Sequence, residues 1–428
     1  MPRPFTAASL GLPAQLAGIW RGFVRGSVGT GLAVGARALG TLLLTKLVAV
    51  YGGLGGLTQL AQFQNLMGLF GALPADGVQL GATARLAPLV PGSPRYRTWL
   101  GAALALTLVL VGLGGGVLGL SGGAAWPPAY KVLFTLGMVA VASQALLSTA
   151  LLAAGQRRAY VVQAVLLSVV STAAAGGALL LGQPRPWVLG AYLGGQALVL
   201  LPTLGQARRA RLLRGLRRGP VSSVAVRGLL RFVLMALGTL LFGRAVDYAV
   251  RAYLIGHFAP ARTDLWQAVA RLSDQYTVVV GAVLSTVFYP RLAALAAAPA
   301  QARRYQGAVL VLLALGLGLG LGLVYALRDW LLPLLFAPRL LAARALLAPQ
   351  LLGDWAKFLV WVFIYPLLAR ARPLPFLAVQ AASAALYVGL LAGLLPRYGL
   401  LGVVLAHAAR YGLLLGACAL GTRWWRGA

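Results

Sequence analysis

The chain has 428 residues, of which 60% are hydrophobic and 10% charged, and its formal net charge is +31. Its mean hydropathy of +0.84 and its repeated apolar runs of about 20 residues exclude an ordinary soluble protein and indicate a polytopic membrane protein. The basic residues lie mostly in short loops between apolar runs, which argues against nucleic acid as a partner. The chain has a single cysteine, Cys418, which excludes an internal disulfide. With only two histidines besides it, a Cys/His metal site is not expected.

The predicted membrane spans follow a short basic amino-terminal arm, 1–26. Hydropathy predicts about twelve helices and no strands, so the expected class is all-α. The predicted spans are 27–51, 57–84, 98–121, 130–154, 158–181, 187–205, 225–256, 263–290, 306–327, 345–368, 374–395 and 398–420. The first long apolar run starts near Ser27 and is followed by further spans, so we expect no cleavable signal peptide.

Arginines are distributed unequally between the two sides of this predicted topology. Most fall on one side if the amino terminus is inside, which predicts cytoplasmic termini. The most basic loop divides the helices six and six, and gives an amino-terminal lobe at 1–206, a basic cytoplasmic linker at 207–224 and a carboxy-terminal lobe at 225–428. A weak echo between ATARLAPL at 82–89 and FYPRLAAL at 288–295 suggests two parallel repeats with a substrate site at their interface.

Charged residues recur at membrane depth in spans seven and eight. Arg244, Asp247 and Arg251 stand at i, i+3 and i+7, on one helical face about 10 Å long. Asp247 can pair with either arginine but not neutralise both, so the face keeps a positive charge. Arg271 and Asp274, at i and i+3, form a candidate compensated pair. The alternative interpretation is a set of structural salt bridges between buried helices.

Other spans add further charges at the same depth. Cations outnumber anions, which favours a water-filled cationic cavity whose natural ligand is an anion. Arginine suits phosphate oxygens because its planar fork donates several hydrogen bonds. The predicted anion-binding cations are Arg37, Lys46, Arg244, Arg251 and Arg271; the predicted charge partners or coupling residues are Asp247, Asp274, Asp354, Lys357 and Arg410.

Polar and aromatic residues of spans two and eight are candidates for contacts with sugars. They are Gln59, Gln62, Asn65, Trp266, Gln267 and Tyr276. The alternative roles of these residues are hydrogen bonding between helices, packing, or anchoring at the membrane interface. Asp76, in the sequence LPADG, predicts a kinked or broken helix. His407 is either a proton carrier or a residue packed against its neighbours.

Two segments carry a family resemblance: WQAVARLSDQYTVVVGAVLSTVFYPRLAAL at 266–295 and ALGTLLLTKLVAVYGGLGGLTQLAQFQNL at 38–66. They resemble the Wzx-type lipid-linked oligosaccharide translocases, and most of all the lipid III subfamily of enterobacterial common antigen synthesis. In that subfamily a WQ-x-V-x-R-[IL]-S-[DE] start to span eight and a PRL end are characteristic. The resemblance places the chain in the multidrug/oligosaccharidyl-lipid/polysaccharide exporter superfamily.

The resemblance implies a fold and an activity. The fold would be two six-helix lobes in a V around a central cationic cavity, lined largely by spans one, two, seven and eight. The activity would be transport of an undecaprenyl-diphosphate-linked oligosaccharide from the cytoplasmic to the periplasmic leaflet of the bacterial inner membrane by alternating access. A transporter of this kind is not an enzyme and needs no cofactor or metal. Expected partners are membrane lipids, a glycan polymerase and other assembly proteins.

Other functions stay open at this point. The same superfamily contains lipid II flippases and drug/cation antiporters, and the cationic cavity argues against an antiporter. A membrane enzyme of glycan assembly is disfavoured because the chain has no glutamate and no long loop. A non-transporting component of a glycan-assembly complex would tolerate loss of the buried charges.

Overall fold

The computed structural model describes residues 35–120, 126–213, 222–295, 298–369 and 373–421. These ranges contain helices and no β-strand, which confirms the predicted all-α class. The helices are α1 (35–51), α2 (Gly56–Ala72), α3 (Leu80–Leu86), α4 (Pro94–Leu120), α5 (Pro128–Ala153), α6 (Arg157–Leu180), α7 (Arg185–Leu198), α8 (Leu200–Arg209), α9 (Ser223–Thr239), α10 (Ala245–His257), α11 (Pro260–Val283), α12 (Tyr289–Ala294), α13 (Pro299–Ala326), α14 (Arg328–Leu335), α15 (Arg344–Ala369), α16 (Pro373–Tyr398) and α17 (Leu400–Gly421).

Within the described ranges, nine helices are long and apolar enough to cross a membrane. The other three predicted spans are also helical. Residues 56–86 and 260–294 form continuous helical rods, and α1 covers the described part of the first span, whose predicted start lies outside the described residues. The chain is therefore a multi-pass membrane protein.

Three continuous helical rods, 56–86, 223–257 and 260–294, each contain a π-helical turn. The turns are Leu73–Gln79 between α2 and α3, Leu240–Arg244 between α9 and α10, and Leu284–Phe288 between α11 and α12. The first includes Pro74, which has no backbone N–H to donate to the α-helical ladder. Such turns redirect side chains and occur often at functional sites. The break predicted at LPADG is thus a π-helical turn within a continuous rod.

The chain divides into two compact units. The first contains the described parts of 1–43, 79–175 and 190–226. Here α4 packs against α5 and α3, and α5 against α8. Tyr96, Leu100 and Phe134 are fully buried in its core. The predicted lobes at 1–206 and 225–428 stay a prediction, and most of the predicted linker lies outside the described residues.

The second unit contains 44–78, 176–189 and the described part of 227–428. In this unit α15 packs against α17, α13 and α11, and α2 packs against α10 and α11. Its core includes Leu57, Val269, Leu347 and Val404. The packing brings polar residues of α2, α10, α11, α15 and α17 into one unit, which contains every predicted site residue except Arg37.

Candidate anion-binding site

The site is centred on a buried pair between α10 and α11. Nε of Arg251 donates to Oε1 of Gln267 at 2.9 Å, and the two residues are 7% and 0% exposed. The guanidinium also lies over the ring of Trp266, with 5.3 Å from Cζ to the ring centroid. Trp266 is itself buried and its ring contacts Arg251. Its predicted contact with a sugar stays a prediction.

Two donors of this pair have no acceptor among the described residues. They are Nη1 of Arg251 and Nε2 of Gln267, and both atoms are buried. Buried donors are nearly always hydrogen-bonded in native proteins, and an unsatisfied one costs about 1–3 kcal/mol. The pair therefore has the donors to bind an acceptor that the described residues do not supply.

Arg244 is paired differently from the prediction. Its Nη2 lies 2.9 Å from Oδ2 of Asp76, and its Nη1 donates to the carbonyl of Gly68 at 3.3 Å. The predicted pairing of Asp247 with Arg244 or Arg251 is not found. Asp247 is exposed on α10 and forms no ion pair with any residue that the structure describes.

Arg271 of α11 contacts α2. Its Nη2 donates to Oε1 of Gln64, and its side chain is partly buried. Gln64 was not among the predicted site residues, although it stands between two of them. Gln59 is exposed, and Gln62 and Asn65 are partly buried. A contact of these three with sugars stays a prediction. Asp274, the predicted partner of Arg271, is exposed.

Asp264 fixes the start of α2 to α11. Its carboxylate accepts hydrogen bonds from the backbone N–H of Gly55 at 2.8 Å and from the backbone N–H and hydroxyl of Thr58 at 2.9 and 2.7 Å. Asp264 is 1% exposed, so it acts as a buried cap for the first backbone donors of α2. Gly55 has φ +81°, and a Cβ there would lie 2.8 Å from Cβ of Pro260. Sequence reasoning missed this cap because its two halves are far apart in the chain.

Asp354 of α15 is the centre of a second polar cluster, and it is 0% exposed. Its Oδ1 accepts from Nζ of Lys357 at 2.7 Å and Nε2 of His407 at 3.1 Å; its Oδ2 accepts from the hydroxyls of Ser273 and Tyr276, both at 2.6 Å, and from Nε2 of Gln350 at 3.1 Å. Lys357 also donates to Thr277 at 3.0 Å. These internal donors occupy the carboxylate. A coupling role for Asp354 and Lys357 stays a prediction.

The remaining predicted cations do not hydrogen-bond to the Arg251–Gln267 pair, although Arg410 and Arg251 both interact electrostatically with Asp247 and Tyr387. Nζ of Lys46 donates to the carbonyl of Pro333 at 2.7 Å, which explains its position without a ligand. Arg410 donates through Nε to Ser383 at 2.7 Å. Arg37 is exposed and belongs to the first unit.

No protein-family model matches the chain. The chain is similar in sequence to the lipid III flippase of Escherichia coli (strain K12). The two are 27% identical over 188 residues, which are 44% of this chain and 45% of that protein. The chain thus matches less than half of the length of this relative. This similarity confirms the predicted resemblance at the level of sequence.

Solved structures extend the comparison to nearly the whole chain. The lipid II flippase MurJ, in an inward closed conformation, has a TM-score of 0.63 at 13% identity, covering 93% of this chain and 87% of MurJ. An inward-facing multidrug resistance MATE family transporter of the MOP superfamily has a TM-score of 0.66 at 14% identity, covering 90% and 94%. At such identities the likeness concerns the fold. The chain has the fold of the MOP-superfamily transporters.

In this MOP-fold chain the arginines of the second unit differ in whether their hydrogen-bond partner is charged or neutral. Arg244 faces the carboxylate of Asp76, whereas Arg251 bonds to the neutral amide of Gln267. No described carboxylate lies within ion-pair distance of Arg251. The remaining donors of Arg251 are not used by a carboxylate, and Asp247 and Asp274 interact with this guanidinium only beyond ion-pair distance. This arrangement is suited to binding an anion with several acceptor oxygens.

Proposed function

We propose that this chain is a flippase that moves an undecaprenyl-diphosphate-linked oligosaccharide from the cytoplasmic to the periplasmic leaflet of the bacterial inner membrane by alternating access. The similarity to a lipid III flippase and the MOP fold support this proposal. The same fold is found in multidrug transporters, and fold alone does not decide function. The residues of the site must therefore distinguish these activities.

The unsatisfied donors of Arg251 and Gln267 carry the proposal. A diphosphate presents several charged oxygens, and one oxygen can accept from both residues. Binding would satisfy two buried donors and place a negative charge on a guanidinium that faces no described carboxylate. A cationic drug offers no such acceptor and is repelled by Arg251, so the site favours an anionic head group over an antiporter's substrate.

The neighbouring residues then have separate roles in the proposal. Arg271, which contacts Gln64 of α2, lies one α-helical turn beyond Gln267 and adds positive charge on the same helix. The side chains of Gln59, Gln62 and Asn65 on α2 are proposed to contact the sugars. Because Lys46 already bonds to Pro333, its predicted binding of the diphosphate is the weakest of the set.

Outward movement of the head group is favoured by the membrane potential. About two negative charges that cross an inside-negative potential gain up to about 4–5 kcal/mol per 100 mV. The positive charge of the bound arginines cancels part of this gain. The step that depends on the membrane potential is then the return of the empty carrier. In this scheme the polyprenyl tail stays in lipid and both termini are cytoplasmic.

The test is transport in proteoliposomes that contain the full chain and a fluorescent undecaprenyl-diphosphate oligosaccharide. The wild type should flip the lipid, and the Arg244→Ala/Arg251→Ala double variant should not. Arg262→Ala is the matched control because Arg262 is an exposed arginine at the start of α11. Wild-type rates in the double variant would contradict the proposed site, and transport of a cationic dye in place of the lipid would contradict the proposed function.

A further inference from the structure

A separate cavity lies among α15, α16 and α17. Its volume is about 220 Å³, and its walls include Trp361, Phe376, Val379, Ser383 and Tyr411. This volume is below the roughly 300–1,000 Å³ typical of drug-sized ligands. The cavity fits a single chain or ring, and its lining includes no residue of α10 or α11, so it is distinct from the Arg251–Gln267 pair.

A buried arginine, Arg410, bonds to a residue of the cavity wall. Nε of Arg410 donates to Ser383 at 2.7 Å, and the ring of Tyr411 lies 4.8 Å from Cζ; both of these partners line the cavity. On the other side of the guanidinium the ring of Tyr387 lies 5.0 Å from Cζ. Arg410 is 8% exposed. Its position is thus fixed by a hydroxyl and two aromatic rings.

None of these contacts neutralises the charge of Arg410, and the carboxylate of Asp247 interacts with it without forming an ion pair. Arg410 forms no ion pair within the described ranges, and Nε is its one hydrogen-bond donor in use there. The Nη donors have no described acceptor, and an anionic acceptor would stabilise this largely buried charge. Because Nε bonds to Ser383 of the cavity lining, an anionic group beside Ser383 would be near the Nη donors.

The rest of the cavity is apolar and aromatic. Gln380 and Ser383 are its polar lining residues apart from tyrosine hydroxyls, too few to hold an oligosaccharide. Exposed Leu374 of α16 and Leu413 of α17, at 77% and 56%, extend an apolar surface along the same helices. The ligand chemistry that fits is an anionic phosphate joined to a hydrocarbon chain.

We propose that the cavity binds one anionic phospholipid of the surrounding bilayer. A phosphate oxygen would accept from Nη of Arg410, and part of one acyl chain would lie between Trp361, Phe376 and Tyr411. A zwitterionic lipid carries the same phosphate but adds a cation that the guanidinium repels, so the site should select lipids with net negative charge. This lipid would stabilise the packing of α15, α16 and α17 and is not the transported substrate.

Native mass spectrometry of the full chain in detergent tests the proposal. The wild type should retain one phosphatidylglycerol in preference to phosphatidylcholine. Arg410→Gln should lower the apparent affinity for phosphatidylglycerol roughly tenfold, since it removes a charge-assisted hydrogen bond. Val379→Trp, which fills the cavity and leaves Arg410 in place, should lower it as well. Arg344→Gln is the control because Arg344 is exposed and lies outside the cavity.

Three results would overturn the proposal. The first is equal retention of both phospholipids by the wild type. The second is unchanged binding by Val379→Trp, a result that does not depend on whether the Arg410 variant folds. The third is displacement of phosphatidylglycerol by undecaprenyl diphosphate at lower concentration, lost in Arg410→Gln, which would assign the cavity to the transported lipid. The first two results are independent of the transport assay at Arg244 and Arg251.

Discussion

Arg244 and Asp76 form a salt bridge of 2.9 Å that joins two π-helical turns, one between α9 and α10 and one between α2 and α3. Their side chains are 40% and 37% exposed, so the pair contributes about 0–1 kcal/mol to stability. The carboxylate that pairs with Arg244 therefore comes from the turn between α2 and α3, not from Asp247 of α10. Arg251 forms no ion pair with a described carboxylate, which is why we propose it as the residue that binds an anionic ligand.

The Asp76→Asn variant should bind the substrate head group more tightly. Removing the carboxylate leaves Arg244 cationic and unpaired, so the affinity for undecaprenyl diphosphate should rise by about two- to fivefold. The unfolding temperature should change by only a few degrees. Asp329→Asn is the control, since it removes the partner of the exposed Arg344. Weaker binding by Asp76→Asn would mean that the salt bridge holds the site in shape.

The Asp354→Asn variant should be strongly destabilised. It removes the carboxylate that faces the ammonium of Lys357 and leaves that charge buried, which costs about 3–5 kcal/mol. The double variant Asp354→Asn/Lys357→Met removes both charges and should recover part of the loss. Thermal unfolding in detergent followed by tryptophan fluorescence gives the comparison. A double variant less stable than the single one would show that Lys357 is stabilised by its other contacts.

The Asp264→Ala variant should loosen the start of α2. It leaves two buried backbone donors, those of Gly55 and Thr58, without an acceptor, at about 1–3 kcal/mol each. Thr58→Val removes only the hydroxyl contact and should have a smaller effect. Hydrogen exchange of peptides that cover 52–60 would report the opening. Equal protection in Asp264→Ala and the wild type would exclude the cap as the main restraint.

Gly353→Ala should destabilise the packing of α15 on α17. A Cβ at this position would lie 2.4 Å from Cδ2 of His407 and 3.0 Å from the backbone of Ala408, so one helix must shift. Gly320→Ala on α13 is the control, because nothing lies within 4 Å of its added Cβ and alanine is the better helix former by about 1 kcal/mol. The two variants should change the unfolding temperature in opposite directions, and a shift of the same sign would argue against close contact at Gly353.

The sequence predicts the helices of this chain well. Even the rods 56–86 and 260–294, which carry charged and amide residues, are helical as expected. The physical reason is that a backbone at membrane depth must satisfy its own hydrogen bonds within the helix. The resemblance in 266–295 also led to the right fold.

Side-chain partners could not be predicted in the same way. Helical spacing predicted that Asp247 pairs with either Arg244 or Arg251, because residues three or four apart lie on one face. The structure instead pairs Arg244 with Asp76, and Arg271 with Gln64, across helices. Such contacts depend on how distant segments pack, which no local spacing encodes. The cap at Asp264 was missed for the same reason.

Equilibrium binding of undecaprenyl diphosphate tests the central claim most directly. The wild type, Arg251→Gln and Gln267→Leu would be compared in detergent, with Arg262→Gln as the exposed control. The unsatisfied donors of Arg251 and Gln267 predict at least a roughly tenfold loss of affinity in each of the two site variants and no change in the control. Wild-type affinity in both variants, with intact unfolding transitions, would contradict the assignment of this pair as the anion-binding site.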